Sequence, residues 1–250
     1  MRRLPTLVLT LLLGQCLGGS TPGAPSPVES QRLTIKSTPV MLDSSNPSRR
    51  RVGGLSFLGG WHLTSDARAF GGLSALDVDG HKITAVSDIG AIVRFRLGRF
   101  GNISDADLKR VPSGCGPVVR KSDNDTESLT HDGARQIWWI GMEWRNVICR
   151  TNGDFSKGRF AAPQAIAGWR KKRGPETLLR LNDGRFLTIA EQAVDNGAIH
   201  PAVLFDRDPV DPAALATTLG YRPPDGFDPT DAAQLPDGRK IGRALCRERV

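Results

Sequence analysis

The chain has 250 residues, of which 24% are charged and 6% aromatic, and its formal net charge is +8 at pH 7. The basic excess is concentrated in Arg49 to Arg51 and Arg170 to Arg173, and a basic surface attracts anions such as phosphate esters, nucleic acid or acidic lipid. Aromatic residues do not interleave with these runs as they do in proteins that bind single-stranded nucleic acid, so we expect no nucleic-acid partner.

The first nineteen residues have the pattern of an export signal. A basic tip is followed by an apolar run, Leu7 to Leu13, and then by small residues. This run is too short to cross a bilayer of about 30 Å, so we predict a signal peptide over residues 1–19 and no stable membrane span. Leu13 to Cys16 also resembles a lipoprotein cleavage box, although Gln15 stands where such boxes have a small residue, so a lipid anchor at Cys16 stays an alternative. We expect an exported protein, periplasmic or extracellular.

Residues 20–49 are rich in Pro, Ser and Thr and show little apolar periodicity, which predicts an exposed linker. The globular domain is then expected over residues 50–250, a size that one domain can fill.

The strongest pattern is an Asp-Gly turn between a short apolar run and a β-branched run. Asp-Gly between apolar runs is a strong hairpin signal, because a type I′ turn needs positive φ, which Gly adopts without steric cost. Repeats of about 50 residues built from such hairpins are typical of propeller blades, so the sequence predicts an all-β protein, a β-propeller. The turns recur at intervals of 53, 51 and 54 residues and begin at Asp79, Asp132, Asp183 and Asp237.

Two sets of acids recur at fixed positions of this repeat. Equivalent positions of successive blades surround one end of the central channel, so like charges there repel unless a cation or protons neutralise them. Oxygen ligands of this kind favour Ca²⁺. The alternative is that the acids bond neighbouring backbone amides. The first set precedes the turns by five to seven residues, where the first copy has Ser74, and comprises Glu127, Glu176 and Asp231. The second set ends the strand after each turn and comprises Asp88, Glu143 and Glu191.

Cysteine and histidine usage argues against zinc. No Cys-x-x-Cys occurs, and the four histidines show no metal-ligand spacing. With Cys16 set aside, an odd number of cysteines remains. Cys115 and Cys149 are expected either to form a disulfide across adjacent blades or to be separate buried thiols, and both interpretations stay open.

Three stretches together resemble a known family: FGGLSAL-x-x-DG-x-x-x-x-AVSDIG, E-x-L-x-x-DG with W-x-x-x-E-x-x-N, and GPE-x-L-x-x-L-x-DGRFL-x-x-x-E. They resemble the phytase-like proteins described as esterase-like activity of phytase, which are secreted bacterial six-bladed β-propellers. The resemblance covers Arg51 to Lys240 and implies phosphoester hydrolysis. The residues that it transfers by position are Asp88, Glu127, Glu143, Glu176 and Glu191, with Asn146 and Arg185 as polar neighbours.

The resulting hypothesis is a Ca²⁺-dependent phosphoric ester hydrolase. Glu127, Glu176 and Asp231 are the predicted metal ligands, and one of Asp88, Glu143 and Glu191 is the predicted general base. The substrate is expected to be a phosphorylated or other anionic small molecule. The residues predicted to bind it are Arg170, Lys171, Lys172, Arg173 and Arg185.

Two alternatives to the hydrolase hypothesis remain. The first is a non-catalytic propeller that binds a ligand or protein at its channel mouth, since such a protein would have the same sequence pattern. The second is a carboxylesterase of the serine type, which is disfavoured because no Gly-x-Ser-x-Gly occurs and Ser74 has no identifiable His partner.

The length of the chain bears on the number of blades. Six blades of about 50 residues need roughly 300 residues, so we expect a shortened propeller with about four blades.

Overall fold

The computed structural model describes residues 30–194, 198–235 and 237–246, and their regular structure is almost entirely β-strand. These residues include one α-helix, α1 (Gln164–Ala167), and two 3-10 helices, Ser113–Cys115 and Lys121–Asn124. The all-β prediction is therefore confirmed. None of the helices in these ranges is long and apolar enough to span a membrane. The predicted signal peptide, including Cys16, lies outside the described residues.

The N-terminal part of the described chain forms five short strands. β2 pairs with β5 and β3 pairs with β4, whereas β1 pairs with a later strand. β1 and β2 fall within the predicted linker, residues 20–49. Since their backbone groups are paired, this part of the segment belongs to the folded domain, and the linker prediction is wrong there. The five strands are β1 (Gln31–Arg32), β2 (Lys36–Pro39), β3 (Arg51–Val52), β4 (Leu55–Ser56) and β5 (Trp61–Thr64).

Three antiparallel sheets follow, which we call blades 1, 2 and 3. Blade 1 consists of β6 (Leu73–Asp79), β7 (Lys82–Ser87), β8 (Ala91–Leu97) and β9 (Ile103–Arg110), with β1 added beside β9. Blade 2 consists of β10 (Thr126–Asp132), β11 (Ile137–Met142), β12 (Val147–Asn152) and β13 (Gly158–Ala161). Blade 3 consists of β14 (Pro175–Arg180), β15 (Phe186–Ala190), β16 (His200–Phe205) and β17 (Ala216–Tyr221).

A fourth, two-stranded sheet, blade 4, consists of β18 (Phe227–Gln234) and β19 (Lys240–Cys246). The first strands of successive sheets, β6, β10, β14 and β18, lie next to one another, so each sheet packs against the next. Meandering sheets that meet along their first strands are the blades of a β-propeller. The predicted propeller, with three blades and part of a fourth in the described residues, is confirmed.

The Asp-Gly turns do form hairpins, but not of the predicted type. A type I′ turn needs positive φ at two successive residues. At the first turn only Gly80 has positive φ (60°), and at the third only Gly184 does (89°). In the third turn the Gly184 N–H donates to the carbonyl of Leu181 at 2.9 Å, which is a type I turn closed by a left-handed glycine.

Apolar side chains between neighbouring blades form the core. Trp139, Leu178 and Phe186 belong to the cluster between blades 2 and 3. A disulfide joins Cys115, in the connection after blade 1, to Cys149 of β12, with the Cα atoms 5.2 Å apart. Of the two interpretations left open for these cysteines, the disulfide is the one observed.

Candidate functional site

The acids that end the second strand of blades 1, 2 and 3 occupy equivalent positions. Each donates its backbone N–H to the carbonyl of the residue immediately before the first strand of its own blade. This bond fixes all three acids at the same end of the propeller, opposite the Asp-Gly turns. The bonds run from Asp88 to Gly72 at 3.0 Å, from Glu143 to Asp125 at 2.9 Å and from Glu191 to Gly174 at 3.1 Å.

A β-bulge places the other acids at this end. The pairing of the first two strands skips one residue in every blade, and a bulge aims the skipped side chain away from the regular alternation. Glu127 is this residue in blade 2 and Glu176 in blade 3. Ser74 is its counterpart in blade 1, as the repeat predicts.

The prediction of Asp231 as the equivalent acid of blade 4 is wrong by one residue. The residue skipped there is Thr230, and Asp231 is paired in register with Arg243. Successive residues of a strand point to opposite faces, so a shift of one residue changes where the side chain projects. The misplacement arose because the distance from the bulge to the Asp-Gly turn varies between blades.

The structure brings five carboxylates into two sets that share Glu143. In each set the carboxylate oxygens lie within 4.8 Å of one another. Glu143 is only 5% exposed, so the sets meet in a largely dry place. Set A comprises Asp125, Glu127 and Glu143, and set B comprises Glu143, Glu176 and Glu191.

Asp125 was missed by the sequence analysis, although a signal for it exists. It stands two residues before the bulge residue of blade 2, where blades 1 and 3 have Gly72 and Gly174. Blade 4 has Asp228 at this position; burial raises the pKa of Glu191, and the carboxylate of Asp228 adds to that rise. An alignment of the repeats on the bulge, rather than on the Asp-Gly turn, reveals these acids.

Burial and mutual repulsion raise the pKa values of these carboxyl groups. Burial, followed by the charges of Asp125 and Glu143, raises the pKa of Glu127 to about 8. Burial is also the main cause that raises the pKa of Glu143 and of Glu176, and the neighbouring carboxylates add to it. These two side chains hydrogen-bond each other. At neutral pH the sets therefore hold protons, which a bound cation would displace.

Two glycines allow the chain to pass close to these acids. Gly72 has φ of +55°, and a Cβ there would overlap the carboxylate of Asp88. A Cβ at Gly174 would overlap Oδ1 of Asn146 and lie 3.0 Å from the carbonyl oxygen of Glu143. Asn146 donates its side-chain N–H to the carbonyl of Trp169 at 2.6 Å, which holds the Asn146 side chain in place.

The basic run borders set B. Arg173 lies 3.1 Å from the carboxylate of Glu191, and Arg170 donates to the side chain of Gln192 at 3.4 Å. Burial of Glu191 raises its pKa, and Arg173 opposes that effect. The structure therefore places the predicted basic run beside the predicted acids.

The two lysines of this run lie over an aromatic ring. The Nζ atoms of Lys171 and Lys172 are 5.5 and 5.6 Å from the centre of the Trp144 ring, and Trp144 directly follows Glu143. Arg120, which the sequence analysis missed, lies 6.0 Å from the same ring. Three cations around one indole form a positive patch next to the carboxylates.

Arg185 is not part of this arrangement. It lies in the turn between β14 and β15, at the other end of the blade from the bulge. Its guanidinium donates twice to Asp183, at 2.9 and 2.7 Å. Arg239 makes the same contact with Asp237 in blade 4, at 2.8 Å. The arginine of the Asp-Gly-Arg turn therefore braces the turn, and the prediction that Arg185 binds substrate is not supported by its position.

A family model named phytase-like and described as esterase-like activity of phytase matches residues 68–249. This range contains both carboxylate sets and the basic run. The chain belongs to the phytase-like family. No curated protein matches this phytase-like chain.

Two solved structures are distantly similar to the phytase-like chain. A chain of the nidogen/laminin complex aligns with a TM-score of 0.40 and 10% identity over 70% of this chain. YCF48 bound to D1 peptide aligns with a TM-score of 0.37 and 12% identity over 88% of this chain. The phytase-like chain spans 57% of the first and 66% of the second, and at this similarity neither indicates what it binds.

Proposed function

We propose that this phytase-like propeller hydrolyses phosphoric esters of small molecules with the aid of Ca²⁺. The observation that supports this most directly is the pair of carboxylate sets joined at Glu143 with a positive patch beside them. A phosphate ester is an anion, so a metal cation and basic side chains at one place suit its binding and the charge that develops during hydrolysis.

The chemistry of the donors fits Ca²⁺. All ligands offered by the two sets are carboxylate oxygens, which hard cations prefer, and a cysteine or histidine ligand is absent from both sets. Burial, and then the neighbouring carboxylates, raise the pKa values of Glu127, Glu143 and Glu176, and a bound cation would stabilise the charged forms of these groups. We propose Asp125, Glu127, Glu143, Glu176 and Glu191 as the ligands.

Bound Ca²⁺ would polarise a phosphoryl oxygen and lower the pKa of a water molecule. Lys171, Lys172 and Arg173 would hold the phosphate group beside the carboxylates. Asp88 belongs to neither set, yet it is near enough for its charge to raise the pKa of Glu127. Of the three general-base candidates from the sequence, we therefore assign Asp88 as the base, and we assign Glu143 and Glu191 as metal ligands.

Export is proposed from two features. The pattern of residues 1–19 predicts a signal peptide, and disulfides such as that between Cys115 and Cys149 form and persist in oxidising compartments. A lipid anchor at Cys16 is the alternative to a freely diffusing protein. Mass spectrometry of the mature N-terminus distinguishes them, since lipidation leaves a diacylated Cys16 as the first residue.

The experiment that tests the function is hydrolysis of p-nitrophenyl phosphate with and without metal. We expect EDTA to abolish turnover and Ca²⁺ to restore it. Glu143→Gln, which changes both sets, should lower the rate at least 100-fold, whereas the control Asp231→Asn, outside both sets, should leave it unchanged. Ca²⁺ binding without turnover would instead support the non-catalytic propeller.

Activity that resists EDTA would support the serine mechanism, although the hydroxyl of Ser74 donates to the carbonyl of Gly72 at 3.3 Å and hydrogen-bonds the carboxylate of Glu127.

A matched pair of arginines tests the phosphate-binding patch. Arg173→Gln should raise KM for the phosphate ester about tenfold because it removes a charge beside set B. Arg185→Gln removes the same charge at the opposite end of blade 3 and should leave KM unchanged. Equal effects of the two substitutions would show that overall charge, not the patch, attracts the substrate.

A further inference from the structure

A cavity lies between blades 1 and 2, away from the carboxylate sets. Its volume is about 350 Å³, which is in the range of small-molecule sites. Asp79 and Lys82, which flank the first Asp-Gly turn, are among its lining residues. The cavity therefore opens at the turn end of the propeller, whereas sets A and B lie at the bulge end.

The register of the blades shows why this space is open. Thr84 of blade 1 is paired with Asp77, and Trp139 of blade 2 is paired with Thr130. Asp77 and Thr130 each stand three residues after the bulge of their blade, so Thr84 and Trp139 are equivalent. Trp139 fills the space between blades 2 and 3, where it packs edge-on against Phe186 at 4.8 Å. Thr84 is far smaller, and the corresponding space between blades 1 and 2 is the cavity.

Blade 1 forms a wall of mixed charge. Asp77, Thr84, Arg94 and Asp107 lie in one row across its four strands, all in register. Arg94 donates to both oxygens of Asp107, at 3.1 and 2.8 Å. Towards the turn, Arg96 lies 3.9 Å from Asp105. In total this wall carries four aspartates and three basic residues.

Blade 2 forms the opposite wall of the cavity with an imidazole and an indole ring. His131 stacks on Trp138 with ring centres 4.6 Å apart, and both line the cavity. Nδ1 of His131 is 2.7 Å from the carboxylate of Asp77, so the imidazole is held across the gap between the blades. One wall thus presents charges of both signs and the other an aromatic surface.

We propose that this cavity is a binding site for a small zwitterion of the amino-acid class, separate from the phosphoester site. A simple anion would meet four aspartates, and a simple cation would meet three basic side chains. A zwitterion brings an ammonium group for carboxylates and a carboxylate for Arg96 or Lys82, and it adds no net charge to a partly desolvated place. The side chain of the bound amino acid would lie against the ring of Trp138.

Isothermal titration calorimetry with four probes tests the proposal on the wild-type chain in EDTA. L-phenylalanine and L-glutamine are the zwitterions, while 3-phenylpropanoate and 2-phenylethylamine each keep one charge only. At least one zwitterion should bind, and both single-charge compounds should bind at least tenfold more weakly than it does. Equal binding of either single-charge compound, or no binding of any probe at 10 mM, would overturn the proposal.

Variants locate the binding. Thr84→Trp introduces the side chain that closes the next interface and should abolish binding, whereas Thr84→Val leaves the space open and should preserve it. Because Thr84→Trp also risks misfolding, the exposed Arg96 provides a second test: Arg96→Gln should weaken binding about tenfold without changing the melting temperature. Arg185→Gln is the control at the surface. Binding that survives both Thr84→Trp and Arg96→Gln would place the ligand elsewhere and contradict the assignment.

Discussion

The two interfaces between complete blades share one backbone register and are filled in different ways. Between blades 2 and 3, Trp139 packs on Phe186 and donates its indole N–H to Asp208 at 2.8 Å. Between blades 1 and 2, Thr84 stands in the place of Trp139 and leaves a cavity. A propeller can therefore open a pocket between blades by shortening one side chain, because strand pairing within each blade does not depend on it.

The ion pairs at the two interfaces also differ in their cation. Arg180 of blade 3 is 2.8 Å from Asp132 of blade 2. The equivalent residue of Arg180 in blade 2 is His131, which pairs with Asp77 of blade 1 at 2.7 Å. Blades 2 and 3 are therefore linked by a permanently charged arginine, whereas blades 1 and 2 are linked by a histidine, whose charge depends on pH.

The largest test of this comparison uses two adjacent tryptophans. Trp139 is 3% exposed and faces blade 3, while Trp138 faces the cavity. Trp139→Ala should lower the free energy of unfolding by about 3–5 kcal/mol, because it leaves a void in a packed core. Trp138→Ala should cost clearly less, about 1–3 kcal/mol, since the space around it is already open. Urea unfolding measures both, and equal losses would mean that the two interfaces are equally packed.

The disulfide gives the next largest effect. Cys115 and Cys149 are 34 residues apart in sequence, and their bond fastens the connection from blade 1 to blade 2. Loop closure of this size contributes about 2–4 kcal/mol. The double variant Cys115→Ala, Cys149→Ala should therefore unfold at lower urea, and dithiothreitol should destabilise the wild type but not the variant. If dithiothreitol leaves the wild type unchanged, the bond does not support this interface.

The sequence predicts the repeat and most of the acids, because backbone pairing repeats at a fixed interval. Asp88, Glu143 and Glu191 follow directly from strand ends. Side chains that depend on the exact bulge position do not, and so Asp231 was chosen in place of Thr230 and Asp125 was missed. The cavity has no sequence signal of its own, since a threonine in a strand is unremarkable until Trp139 is known to be its counterpart.

The next prediction concerns the buried carboxyl group of Glu176 and tests whether set B binds Ca²⁺. Its folded pKa is raised by burial, so wild-type stability should fall as pH rises from about 4.5 through the folded pKa. In EDTA at pH 8, Glu176→Gln should therefore be more stable than wild type, by about 1–3 kcal/mol, and the difference should vanish at pH 4. With Ca²⁺ the sign should reverse, because the variant loses a ligand to an ion that binds only the folded state.

Thermal unfolding in EDTA and in Ca²⁺ measures both signs. Asp231→Asn is the control, since its carboxylate belongs to neither set. If Ca²⁺ does not raise the wild-type melting temperature, the sets do not bind the ion, whatever the variant does.

The smallest expected effect distinguishes the His131–Asp77 ion pair, which depends on pH, from the Arg180–Asp132 pair, which does not. The hydrogen bond that Nδ1–H of His131 donates to the carboxylate of Asp77 is the main cause that raises the pKa of His131. A base whose pKa is raised on folding stabilises the protein fully below its unfolded pKa, near 6.5, and loses this contribution as pH rises through the folded value. Asp77→Asn should therefore cost about 1 kcal/mol at pH 6 and less at pH 9. At the other interface Arg180 stays charged, so the cost of Asp132→Asn should be the same at both pH values. Urea unfolding at pH 6 and 9 compares the two variants, and parallel losses would show that His131 carries no charge in the folded protein.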